Sequence, residues 1–97
     1  MSEQKPIAFV KADIYYKLAK ESFDEYSEAF KVQSGTPVEN LAAYHEAYVK
    51  SIGLLQKLMQ SRAVLLKFVE SCEKTPYFDY SAGRYLEFER YVAEKSK

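Results

Sequence analysis

The chain has little of what most active-site chemistry needs. A single histidine and a single cysteine stand among 97 residues. One cysteine has no partner for a disulfide or a metal knuckle within the chain, which suits a reducing compartment. Glycine is scarce, and no glycine-rich phosphate loop, Rossmann fingerprint, nucleophile elbow or His/Cys set at metal-ligand spacing is present. No uninterrupted apolar run exceeds Ala63-Val64-Leu65-Leu66, far short of the ~20 residues that span a bilayer. No apolar stretch of signal-peptide length occurs near Met1. An excess of one charge is missing too: 14 Lys+Arg balance 14 Asp+Glu. A balanced chain lacks the basic footprint of a duplex-DNA binder and the polybasic run of a membrane anchor. The expectation is a soluble, cytoplasmic protein with no membrane partner, no cofactor and no metal.

What the chain does have is a heptad seam. Phe9, Ala12, Tyr16, Ala19, Phe23, Tyr26 and Phe30 follow a 3-4 alternation, with aromatics at one position and mostly alanine at the other. Such a seam must lie against another helix. A first helix is predicted over about 6–33, opened by Pro6, whose missing N–H would be unpaired there anyway. Ser34-Gly35-Thr36-Pro37 breaks it. Gly35 can take the left-handed conformation that ends a helix. Thr36-Pro37-Val38-Glu39 reads as a capping box, with Thr36 as N-cap.

A second helix is predicted over about 37–73. Its seam runs Leu41, Tyr44, Tyr48, Ser51, Leu55, Leu58, Arg62, Leu65, Val69 and Cys72. A second stripe adds Ala42, Val49, Ile52, Met59, Ala63 and Leu66. The stretch from Ala63 to Val69, apolar but for Lys67, is expected to be the most buried part of the protein. Gly53 interrupts this helix, where a glycine costs roughly 1 kcal/mol relative to alanine. It marks a kink, a close helix crossing or a tolerated weak spot. Glu73-Lys74-Thr75-Pro76 ends the helix. A third, over about 79–94, is capped by Asp79 or Ser81 and turns Phe78, Ala82, Tyr85, Leu86, Phe88 or Glu89, and Val92 inward. The fold class is therefore all-α: one domain over residues 1–97, a long antiparallel hairpin plus a shorter third helix. This is a three-helix bundle that dimerisation can complete.

The third helix is too short to cover the whole hairpin. Near the Ser34–Pro37 turn only two helices meet, and aromatic residues are left over. Phe23, Tyr26, Phe30, Tyr44 and Tyr48 are the candidate protein-contact residues. Tyr80 and Tyr91 of the third helix, expected to point outward, form a second candidate patch. Chemistry has weaker support. His45 lacks the carboxylate and nucleophile that a general base needs. Cys72, at a helix C-terminus, lacks the dipole that lowers a thiol pKa. Glu21, Asp24, Glu25 and Glu28 form an acidic row without the Glu-x-x-His pattern of a two-metal bundle.

The function this predicts is non-enzymatic: a small helical protein that binds another protein, as an inhibitor, immunity protein, adaptor or chaperone does, in one version as a homodimer. A structural subunit of a larger assembly is the alternative. A single-stranded nucleic-acid module stacking bases on the C-terminal aromatics comes third, because acidic residues cancel its charge.

Overall fold

The structure, a computed structural model, describes residues 6–96. Three helices account for nearly all of them: α1 (Ile7–Gly35), α2 (Leu41–Ser71) and α3 (Phe78–Lys95), with no strand among the described residues. α2 folds back antiparallel on α1. α3 runs parallel to α1 in the crevice of that hairpin.

The two connections differ from the sequence expectation in their hydrogen bonds. α1 continues through Gly35 without a left-handed residue. Thr36 then turns extended, and its hydroxyl donates back to the Val32 carbonyl at 2.7 Å. That bond satisfies an end carbonyl of α1, so Thr36 does not cap α2. Pro37–Asn40 form a turn closed by the Asn40 N–H on the Pro37 carbonyl, and the Asn40 side chain accepts from the Ala43 N–H. The capping box on Thr36 and Glu39 is therefore corrected to a cap on Asn40, four residues after Thr36. Replacing Asn40 by alanine is expected to lower stability by about 0.5–2 kcal/mol, read as a shift in thermal unfolding.

At the second connection Lys74 takes the left-handed conformation, with φ 67°. The Thr75 hydroxyl accepts the Tyr77 N–H at 3.2 Å. Neither Asp79 nor Ser81 caps α3: Asp79 lies in its first turn, where a carboxylate suits the helix dipole. Ser81 is buried and donates to backbone carbonyls one turn back.

The core sits where three helices overlap. Ala19, Phe23, Leu65 and Phe88 form its centre, with Tyr16, Leu58, Tyr85 and Val92 packed around them. α3 is fixed to α1 in register. The Tyr80 hydroxyl donates to Asp13 at 2.7 Å and the Tyr91 hydroxyl donates to Asp24 at 2.5 Å. Both bonds link residues 67 apart in sequence, so three turns of one helix match three turns of the other. Phe9 stacks on the Tyr80 ring, with centroids 4.2 Å apart.

This register carries α3 further along α1 than its length alone implied. It reaches Asp24, and Phe23 is only 7% exposed, edge-on to the Tyr91 ring. Beyond that level α1 meets only α2. Its buried face rotates accordingly from Ala12 and Ala19 to Ser22 and Ala29, and Phe30, the last seam residue, is 48% exposed.

The expectation for residues 63–69 is also corrected. Leu65 and Val69 are buried, but Val64 and Leu66 are exposed. So are Val49, Ile52 and Met59 of the second stripe, and Leu86 of α3. α3 lies between α1 and α2, so nothing covers the far side of α2. The molecule is consequently long, 60 × 29 × 22 Å, with a radius of gyration of 17.0 Å. A compact chain of this length would have about 12.5 Å.

Candidate interaction surface

The chemistry-bearing residues stay apart. His45 is exposed on α2 among Leu41, Tyr44 and Tyr48. Cys72 is buried at the other end of that helix. Among the described residues, no group of three or more His, Cys, Asp or Glu side chains is placed to hold a metal ion. No helix described is long and apolar enough to cross a membrane.

The acidic row of α1 is largely engaged within the chain. Asp24 accepts from Tyr91, Glu25 pairs with Lys57 at 3.2 Å, and Glu28 lies 3.8 Å from Lys31. On the α1–α3 seam, Arg84 bonds Asp13 at 2.8 Å, Glu87 at 2.9 Å and the Tyr80 hydroxyl at 3.1 Å. Its guanidinium also lies over the rings of Tyr80 and Tyr16. The hydrogen bond to Tyr80 and the nearby carboxylates raise its already high pKa.

Tyr80 and Tyr91 therefore do not point outward as expected. They are half-buried struts between α3 and α1. The Asp24 hydrogen bond, helped by partial burial, pushes the Tyr91 phenol from the usual 10.0 up to about 12. A phenol whose pKa rises on folding stabilises the fold below its unfolded value. That contribution fades as pH climbs through the folded one. The Tyr91 share of stability should thus be intact at neutral pH and lost from about 10 to about 12. Ultraviolet titration of wild type and Asp24→Asn checks this, since the variant should bring one tyrosine back toward the ordinary range.

Of the turn-end aromatics, Phe23 belongs to the core. Tyr26 and Tyr44 are half-buried; the Tyr26 ring lies 6.0 Å from that of Phe30, and the Tyr44 hydroxyl accepts from Gln33 at 3.5 Å. Phe30 and Tyr48, at 48% and 46% exposure, remain open to solvent. Tyr48 joins Leu41, Tyr44 and His45 around a shallow depression of about 400 Å³.

Sequence reasoning missed a second concavity. Opposite α3, the hairpin carries a groove of about 520 Å³ floored by Ala29, Val32, Ala47 and Leu54 and rimmed by Glu25, Glu28 and Lys50. Alanines at facing positions of α1 and α2 leave this space unfilled. That pairing was the available signal, but the 3-4 alternation of large residues drew attention away from it. Compared with protein-family models, curated proteins and solved structures, the chain matches none.

Proposed function

We propose that this protein acts by binding another protein, without chemistry of its own. The observation that supports this is the open apolar surface at the turn end of the hairpin. Two helices cannot enclose both faces there. Phe30 and Tyr48 stand out on one side, and the groove over Ala29, Val32, Ala47 and Leu54 lies on the other. An apolar floor with a mostly acidic rim suits an amphipathic helix carrying basic flanking residues. Large exposed aromatics suit the anchoring role that tyrosine and phenylalanine play in interface centres.

Affinity capture from the native source, run in parallel with wild type, Val32→Glu and Phe30→Glu, tests the reading. Both substituted positions tolerate polar side chains in the native fold, because Val32 and Phe30 are already exposed. A partner held by wild type and lost from at least one variant is the expected result. A captured set unchanged by both variants overturns it.

A further inference from the structure

The α1–α2 hairpin has a crevice on each side, and α3 fills only one. On the filled side α3 shows what the hairpin accepts. Arg84 and the hydroxyls of Tyr80 and Tyr91 meet carboxylates of α1, Asp13 and Asp24. Glu89 meets a cation of α2, Arg62, at 2.7 Å. The docked helix presents donors to α1 and a carboxylate to α2.

The open side is built for a second helix. Beyond the groove over Ala29 and Ala47 lies a smaller crevice of about 250 Å³, between Leu18 of α1 and Ser61 and Val64 of α2. The two concavities share one line. Leu18, Glu25 and Val32 follow at seven-residue intervals on α1, and Ala47, Leu54 and Ser61 do the same on α2. Residues seven apart lie on nearly the same side of a helix. A lining with that period is the surface that another helix packs against. The track from Leu18 to Val32 is about 21 Å long, four turns of a helix. Ala29, Ala47 and Ser61 keep its floor low, and Leu18, Val32 and Val64 stand exposed along it.

Its edges carry the same signs as on the filled side. Asp24, Glu25 and Glu28 line the α1 edge and Lys50 lines the α2 edge. Lys57, one heptad beyond Lys50, pairs with Glu25 between the two concavities. Glu46, one turn before Lys50, does not line the track. Two of the edge charges are poorly matched within the chain. Glu28 lies 3.8 Å from Lys31, with both side chains exposed. Lys50 has no ion-pair partner among the described residues. An acidic edge and a basic edge beside an apolar floor select a helix whose own flanks carry the opposite signs.

We propose that the track opposite α3 takes one amphipathic helix of another protein, about four turns long, with cations along α1 and a carboxylate toward Lys50. The docked helix completes a four-helix arrangement. This rests on the protein-binding reading above and adds the shape and charge order of the partner segment.

Three synthetic helices test it, each matching α3 in length at 18 residues. They share one leucine and alanine stripe and differ only in the two flanks: lysine on one and glutamate on the other, lysine on both, or glutamate on both. With the purified full chain, fluorescence anisotropy should show saturable binding of the Lys/Glu helix below ~100 µM. That binding should be about 10-fold or more tighter than for the Glu/Glu helix, which sets like charges against the α1 edge. Lys50→Glu, at an exposed position, makes both edges acidic and should shift the preference to the Lys/Lys helix. Binding that ignores the flanks, or that survives Lys50→Glu and Val32→Glu unchanged, overturns the proposal. Failure of all three helices to bind also overturns it, while the capture experiment, which reads Phe30 as well, still decides whether the protein binds a partner at all. A purified chain that sediments as a dimer and is split by the Lys/Glu helix would put a second copy on the track and overturn the assignment to another protein.

Discussion

Phe88→Ala should remove about 3–5 kcal/mol of stability, the usual result of truncating an enclosed phenylalanine. Phe88 is 1% exposed and packs where all three helices overlap, in a cluster with Ala19, Phe23 and Leu65. Its loss opens a cavity that three rigid helices cannot collapse around. A chain of 97 residues holds about 5–15 kcal/mol in all, and an elongated one with so little enclosed core belongs near the lower end. The variant should therefore be substantially unfolded at 37 °C, measured by circular dichroism and urea titration. Leu86→Ala, two residues away and 61% exposed, should stay within about 0.5 kcal/mol of wild type. Equal losses at the two positions would mean that α3 sits in a different rotation about its axis.

Much of this arrangement was legible in the seam. Ala12, Ala19 and Phe23 fall on the 3-4 alternation and are buried. Ser51, Leu65, Val69 and Cys72 do the same on α2. The proline-bearing breaks placed both connections to within a few residues. The errors share one physical source. A hydrophobic pattern says that a face is apolar but not whether anything is available to cover it. Met59 and Leu66 read as core for that reason and are exposed. Hydrogen bonds between helices escaped for the opposite reason. Tyr80 and Tyr91 look like surface tyrosines until Asp13 and Asp24 are seen at matching positions on α1. Two aspartates and two tyrosines, each pair eleven residues apart, were the signal for that register. The cap moved from Thr36 to Asn40 because a threonine hydroxyl can close the helix behind it as readily as open the one ahead.

Ala19→Leu should cost about 1–3 kcal/mol, the range for forcing extra carbons into a filled core. Ala19 has no exposed surface and lies on the α1 seam with the large side chains of Phe23, Leu65 and Phe88 in the same cluster. Alanine at this seam position lets three helices approach, and a larger side chain must push one of them away. The helix pushed would be α3, whose hold on α1 depends on short bonds from Tyr80 and Tyr91 that tolerate little displacement. Ala29→Leu makes the same chemical change two turns beyond Phe23, where α3 no longer reaches. Ala29 is also buried, at 5% exposure, but it lines the open groove with Val32 and Leu54. A leucine there can extend into the groove, so the change should stay within about 1 kcal/mol of wild type. Urea midpoints for the two variants give the comparison directly. A clear gap, with Ala19→Leu the less stable, follows from three-helix cover at one level and two-helix cover at the other. Equal destabilisation would mean that the turn end of the hairpin is packed as tightly as its centre and that its groove offers no room to a partner.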